Sequence, residues 1–151
     1  MTDIPDRIDA VRVLTRLTRL LETVDSGLTL PQYRVLVALS HGGIRSAMLA
    51  ERLAVRRPTL TAIADGLVAA GYAVRESEPG DRRVVQLHVT DAGRDALRRA
   101  DAAYLAKLGP LFDDSPGGRV VADLVAIGEV LDDRLRQKIA ERARQATEVI
   151  V

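Results

Sequence analysis

Arginines are concentrated in one part of the chain, where they could bind phosphate. Residues 45–83 contain seven arginines and five acidic residues, although the whole 151-residue chain has a net charge of only +1. Five of the seven stand in two short places, namely Arg56 and Arg57, and then Arg75, Arg82 and Arg83. Guanidinium groups pair with phosphate oxygens in a fixed fork geometry. We therefore expect any contact with a nucleic-acid backbone to lie within this segment.

The stretch between the two arginine groups predicts a helix with small side chains on its outer face. Pro58 is a favourable first residue and Gly71 a favourable stop, so the helix should cover about residues 58–70. One side of this helix collects Leu60, Ile63, Ala64 and Leu67, and the other carries Pro58, Thr61, Ala62, Asp65 and Ala69. An ordinary solvated helix would more often carry Glu, Lys and Gln there. Small side chains instead allow close approach to the edges of DNA bases.

Hydrophobic periodicity predicts five more helices and one hairpin around this helix. The other helices are expected at about 7–24, 31–41, 47–54, 91–109 and from 118 onward. After Gly71 the period changes to two, which predicts strands at 72–77 and 83–89 around a Pro-Gly turn. In the second strand Val85, Leu87 and Val89 should share one face, and Val84, Gln86 and His88 the other.

Several helix ends are marked by the types of residue that start or stop helices. Thr29 and Pro31 are expected to start the second helix, and Ser46 to cap the third. Thr90 is expected to cap the fifth helix, which Pro110 should end.

This order of elements predicts a mainly α fold with a small β-hairpin wing, a winged helix-turn-helix with N- and C-terminal dimerisation helices. We expect a single domain over residues 1–151, with a DNA-binding lobe at 28–90. Helices at 5–25 and 91–147 are expected to form the dimerisation region, because the last helix has a long one-sided apolar stripe that needs a partner. The expected dimer contacts are Ile8, Val11, Leu124, Ile127, Leu131 and Leu135.

The run LAVRRPTLTAIADGLVAAGYAVRESEPGDRRVVQLHVTDAGRDAL resembles the signature of the MarR (multiple antibiotic resistance) regulators, and the resemblance extends over about residues 10–140. It implies that Thr59, Thr61 and Ala62 read bases, with Asp65 as the acid of the reading helix. It also implies that Asp81 and Arg83 form a D-x-R pair, with Arg83 in the minor groove, and that Thr90 caps a helix. Members often carry Arg where this chain has Ala62 and Gly66, so DNA shape should contribute more to specificity.

The resemblance implies a transcriptional regulator, in our interpretation a repressor, that binds a pseudo-palindromic operator as a homodimer and is released by a small aromatic or phenolic effector. The full expected DNA-binding set is Ser46, Arg56, Arg57, Pro58, Thr59, Thr61, Ala62, Asp65, Arg75, Asp81, Arg82 and Arg83. The polar residues that could line an effector pocket are Arg16, Tyr33, His41 and Tyr104, although each could equally be an ordinary packing or surface residue.

Other functional classes find little support in the sequence. Without cysteine, and with His41 and His88 far apart, we expect no disulfide, thiol sensor, metal or other cofactor. Asp25, Ser26 and His41 have types suited to catalysis but lie in no supporting motif, so we expect no enzyme. The sequence shows neither a signal segment nor a membrane-length apolar run, which predicts a soluble cytoplasmic protein with no membrane partner.

Two alternatives remain open at this point. The winged helix could be a protein-interaction module without sequence-specific DNA binding, since a fold does not fix a function. Such a module needs no arginines at both the helix entry and the wing, so replacing Arg83 with Ala would leave its binding intact. The chain could also be a constitutive DNA-binding regulator that responds to no effector.

Overall fold

The computed structural model describes residues 4–78 and 81–148, without the side chains of residues 4, 5, 78, 81–83, 143 and 146–148. Within this part of the chain there are six helices and three strands. In order, they are α1 (Ile4–Glu22), α2 (Leu30–Leu39), β1 (Ile44–Arg45), α3 (Ser46–Arg52), α4 (Arg57–Ala69), β2 (Ala73–Glu78), β3 (Asp81–Val89), α5 (Asp91–Asp113) and α6 (Val120–Glu148). The prediction of a mainly α fold with a winged helix-turn-helix is confirmed.

The wing is a three-stranded antiparallel sheet in the order β1-β3-β2. The sequence analysis missed β1, because two residues are too few to show an alternating pattern. In the sheet Ile44 pairs with Leu87 and Arg45 pairs with Gln86. β2 and β3 pair regularly from Ala73 with Val89 to Ser77 with Val85. The register then shifts, so that Glu78 pairs with Asp81.

The residues predicted to share one face of β3 are buried near the end of the strand and exposed further out. Leu87 and Val89 are buried, but Val85 is 42% exposed although it shares their side of the strand. The strand leaves the core at this point, so its outer residues belong to a projecting hairpin with no core beneath it.

Helix starts follow their predicted signals in α2 and α5 but not in α3. Thr29 caps α2 in a full capping box, in which its hydroxyl accepts from the Gln32 N–H and the Gln32 side chain accepts from the Thr29 N–H. Ser46, by contrast, is the first residue of α3, and Arg45 occupies the cap position without a capping bond from its side chain. The predicted Ser46 cap is therefore wrong, because α3 begins directly from β1.

The sequence predicts that Pro110 ends α5, and this prediction is wrong, because Pro110 lies inside the helix. A proline lacks only its own N–H, so a helix can continue past it when later bonds form, and the Asp114 N–H donates to the Pro110 carbonyl at 2.9 Å. The following segment ends the helix, since Gly117 and Gly118 have φ values of +84° and +62°.

The chain divides into two compact units, Met1–Lys107 and Leu108–Val151. The core of the first unit is formed by α2, α3, α4, β3 and the first part of α5, and its largest fully buried side chains are Leu36, Leu39, Leu49, Leu60, Leu67, Leu87 and Val35. The second unit contains the end of α5 and all of α6. Over residues 4–78 and 81–148, every helix is too short or too polar to cross a membrane.

Candidate nucleic-acid interface

α4 presents one buried and one exposed face, with the residues distributed as their spacing predicts. Leu60, Ala64 and Leu67 are at most 2% exposed, and Ile63 packs against the same core. The opposite face is exposed and carries Pro58, Thr61, Ala62, Asp65 and Ala69. Thr59 is also exposed, at the edge of this face. The helix therefore offers a surface of short side chains that a deep groove could accommodate.

Two exposed arginines stand at the N-terminus of α4. Arg56 occupies the cap position without a capping side-chain bond, and Arg57 is the first helical residue. The first turn of a helix has backbone N–H groups without intrahelical partners and a partial positive charge. Guanidinium groups and amide donors thus point to the same place, which suits a phosphate of a nucleic-acid backbone.

Asp65 and Arg75 are joined in an ion pair that the sequence analysis did not foresee. Arg75 lies on β2, and its Nη2 donates to Asp65 Oδ1 on α4 at 2.6 Å. The sequence predicts a DNA contact for each of these two residues separately. The pair could have been predicted from two opposite charges that stand ten residues apart, one in a helix and the other in the strand that follows it. The pair neutralises the acid on the exposed face of α4 and ties that helix to the wing.

The described wing carries a second contact between charged groups. His88 Nε2 on β3 lies 3.8 Å from Glu76 Oε2 on β2. A Cβ placed on Gly43 would come within 2.1 Å of the His88 ring, so the backbone before β1 lies directly against the imidazole. Asp81, Arg82 and Arg83 belong to β3 by their backbone, but their side chains lie outside the described residues.

The junction between wing and α5 is held by Thr90, which caps α5 as predicted. Its hydroxyl donates to the Gly71 carbonyl at 2.7 Å and accepts from the Gly93 N–H at 3.0 Å. Gly93 is buried, and a Cβ there would lie 2.0 Å from the Tyr72 carbonyl oxygen. One threonine therefore connects the end of α4, the end of β3 and the start of α5.

A groove of about 660 Å³ lies elsewhere in the same compact unit. It is lined by the end of α1, the α1–α2 connection, the start of α2 and Tyr104 of α5. Its charged lining residues are Glu22, Asp25 and Arg34. Arg34 also donates to the Leu53 carbonyl at 3.3 Å. The groove thus combines leucine side chains with carboxylates at its edge.

Of the four predicted effector residues, Tyr104 lines this groove, whereas Arg16, Tyr33 and His41 are not among the lining residues. Tyr33 nevertheless contacts Tyr104 edge to face, with ring centroids 4.8 Å apart, and donates to Asp101 Oδ1 at 2.7 Å. Burial and this hydrogen bond raise the pKa of the Tyr33 hydroxyl, so it stays protonated at neutral pH. Arg16 and His41 are exposed.

The expected dimer residues lie on two apolar faces, one in each unit. On α1, Ile8 and Val11 are 48% and 60% exposed. On α6, Ile127 and Leu131 are 56% and 61% exposed, whereas Leu124 and Leu135 are half-buried. The sequence analysis missed three further exposed valines on α6, namely Val121, Val125 and Val130. Single exposed apolar residues are common, but large apolar faces mark interaction surfaces.

Among the side chains that the structure describes, no three or more His, Asp and Glu residues converge as metal ligands would. The element order, the small exposed face of α4 and the arginines around it are those of a winged-helix DNA-binding protein.

Comparison with known proteins identifies the family. The model of the MarR family matches residues 26–84. RV1404 from Mycobacterium tuberculosis is 30% identical and has a TM-score of 0.66 over 86% of this chain and 95% of that one. No protein of curated function matches the sequence.

Two further solved structures have the same fold. The transcriptional repressor CouR, bound to a 23-mer DNA duplex, is 25% identical, with a TM-score of 0.70 over 86% of this chain and 92% of that one. CouR from Rhodococcus jostii RHA1 is also known bound to p-coumaroyl-CoA. Apo MarR from E. coli is 23% identical, with a TM-score of 0.68 over 87% of this chain and 98% of that one. The chain belongs to the MarR family of winged-helix transcriptional regulators.

Proposed function

We propose that this regulator binds a pseudo-palindromic operator as a homodimer and represses transcription by occupying it. The observation that carries the proposal is the exposed face of short side chains on α4, with Arg56 and Arg57 at its entry and the wing beside it. CouR, a transcriptional repressor with the same fold, is known bound to a DNA duplex.

In this proposal the arginines position the protein and α4 reads the bases. α4 lies in the major groove, where short side chains let the helix approach the base edges. Arg56 and Arg57 hold the backbone phosphates beside the start of the helix. Arg82 and Arg83 at the wing extend the contact, with Arg83 in the adjacent minor groove. Ser46, at the start of α3, is a further phosphate contact.

The dimer brings two copies of α4 onto the two halves of the operator. Its support is the exposure of apolar side chains on α1 and α6, which an isolated chain would leave in water. We propose that residues 5–25 and 91–147 form the dimerisation region and residues 28–90 the DNA-binding lobe. Two-fold symmetry of the protein then requires two-fold symmetry of its site.

We further propose that a small aromatic ligand releases the regulator from DNA by binding the groove beside Tyr104. The groove volume of about 660 Å³ lies in the range of small-molecule sites. CouR, which binds p-coumaroyl-CoA, provides a precedent for a ligand on this fold. No catalytic step is part of the proposal, and the site of action is the cytoplasm, with the DNA.

The operator is best found by selecting duplexes from a random pool and then measuring affinity at several salt concentrations. Between about 50 and 200 mM salt we expect affinity to fall by roughly a thousandfold or more, because phosphate contacts release counterions. Arg57→Ala should reduce the slope of log affinity against log salt by about two, one for each protomer.

Arg83→Ala separates DNA binding from a protein-interaction role. We expect it to weaken operator binding at least tenfold, whereas Arg144→Ala, an exposed arginine on α6 outside the proposed lobe, should leave affinity unchanged. An affinity that does not respond to salt, or to Arg83→Ala, would contradict the proposal and favour the interaction module.

The ligand is tested by thermal shift with aromatic acids and matched aromatic amines. A compound that occupies the groove should stabilise the protein and also weaken its binding to the operator, because binding free energies are reciprocally linked. If no compound does both, the regulator is constitutive.

A further inference from the structure

The centre of the exposed face of α4 carries no long polar side chain. Ala62 lies one turn after Pro58 along it, and Ala69 lies two turns after Ala62; all three side chains end in carbon atoms. Regulators that read guanine through a reading helix commonly do so with an Arg or Lys that reaches both O6 and N7. Nothing on this part of α4 could make that contact.

The polar groups beside these residues are already engaged within the protein. The Asp65 carboxylate accepts from Arg75 through Oδ1 at 2.6 Å, so one of its two oxygens is occupied and its charge is neutralised, which makes it a weaker acceptor for a cytosine amino group. The Thr61 hydroxyl donates to the Arg57 carbonyl at 3.0 Å, one turn earlier in the helix. Because its hydrogen is used in this bond, the Thr61 hydroxyl cannot donate to a base and keeps only acceptor capacity, so the apolar group that Thr61 adds to the exposed face is its γ-methyl.

The remaining chemistry of this surface is apolar contact. The only apolar group in the major groove of B-DNA is the C5-methyl of thymine, which Ala and the methyl group of Thr can contact. Because Ala62 and Thr61 have short side chains, such contacts require α4 to lie close to the floor of the groove.

We propose that α4 identifies its half-site chiefly by contacts of Ala62 and the γ-methyl of Thr61 with thymine methyl groups, and not by hydrogen bonds to guanine. The inference rests on the proposed operator binding and specifies what α4 reads there. In this inference Asp65 and Arg75 position the reading helix, since their ion pair holds α4 against β2 and neutralises the Asp65 carboxylate. Thr59, at the edge of the exposed face, keeps a hydroxyl that can bond either a base or a phosphate.

The test uses the operator duplex selected from random DNA, with single thymines replaced by deoxyuridine. This change removes one methyl group and leaves base pairing intact. Burial of one methyl corresponds to about 0.8 kcal/mol, or roughly fourfold in affinity, so replacing a symmetry-related pair should cost about fifteenfold. Replacing the guanines under α4 with 7-deazaguanine, which lacks the N7 acceptor, should change affinity by less than about twofold.

A protein variant links the effect to Thr61. Thr61→Ser keeps the hydroxyl that bonds to the Arg57 carbonyl and removes only the methyl group. It should weaken binding to the thymine operator by roughly the same factor as deoxyuridine and have little further effect on the deoxyuridine operator.

The outcomes separate this inference from the proposed function. If no duplex from the random pool binds, both fail. If the thymine operator binds with the expected salt dependence but deoxyuridine binds equally well, or if 7-deazaguanine abolishes binding, the methyl contacts are refuted and operator binding stands. Additive losses from Thr61→Ser and deoxyuridine would show that Thr61 contacts another group.

Discussion

For single residues, we expect the ion pair between Asp65 and Arg75 to affect DNA binding more than stability. The two side chains are 58% and 38% exposed, and exposed pairs contribute only roughly 0.2–1 kcal/mol to folding. A carboxylate on the face that meets DNA, however, repels phosphates unless a cation neutralises it. Arg75 provides that cation from β2.

We therefore expect Arg75→Ala to weaken operator binding by about tenfold or more while lowering the free energy of unfolding by less than about 1 kcal/mol. In an Asp65→Ala background the same substitution should cost much less affinity, because no uncompensated acid remains. Affinities of the four proteins at one salt concentration, with urea unfolding as the stability control, provide the measurement. Equal losses in both backgrounds would mean that Arg75 contacts DNA directly.

At the scale of elements, α5 begins in a close contact that admits only glycine. Gly93 lies in the first turn of α5, where the helix crosses the backbone of Tyr72 just before β2. A Cβ at this position would be 2.0 Å from the Tyr72 carbonyl oxygen, which also accepts from the Thr90 N–H at 3.1 Å. The obstacle is backbone, so it cannot rotate away.

Gly93→Ala should lower the free energy of unfolding by about 2–3 kcal/mol, because the start of α5 must move away from β2. Gly66→Ala is the matched control, since Gly66 is inside α4 and the only atom found within 4 Å of a Cβ there is Gln32 Nε2, at 3.5 Å. It should stabilise the protein by up to about 1 kcal/mol through helix propensity. Urea unfolding at one protein concentration compares the two. A Gly93→Ala protein as stable as the parent would contradict the close packing.

For the whole molecule, the exposed apolar side chains of α6 lead us to expect that assembly is a condition for function. Val121, Val125, Ile127, Val130 and Leu131 are all at least half exposed in the chain taken alone. Ala126, Ile127, Val130, Leu131 and Arg134 also line a shallow pocket of about 310 Å³. A second copy that covers this surface would gain hydrophobic burial and place two copies of α4 on one duplex.

Leu131→Glu should shift the protein from dimer to monomer and reduce operator affinity by at least a hundredfold, because each half-site would then bind alone. Glu129→Lys, a charge change on the opposite side of α6, should alter neither property. Sedimentation velocity at micromolar concentration and operator titration provide the two measurements. A Leu131→Glu protein that remains dimeric would exclude this face as the interface.

Local patterns of residue type and spacing were enough to predict the six helices, their buried faces and the position of the hairpin. These features repeat over short distances, so Leu60, Ala64 and Leu67 could be placed inside α4, and Thr29 and Thr90 at helix starts, from spacing and residue type alone. Phosphate binding by the arginines followed from their concentration in one segment, and the pairing of Asp81 with Arg83 followed from the resemblance to a family; both stay predictions.

The contacts between residues distant in the sequence became visible only in the folded structure. Four features join residues that are far apart in the sequence, so no local pattern could predict them. They are the Asp65–Arg75 pair, the addition of β1 to the wing, the contact of Tyr33 with Tyr104 and the lining of the groove. Pro110 was misread for a related reason: a proline removes one hydrogen bond, and whether a helix survives that loss depends on what the rest of the chain packs against it.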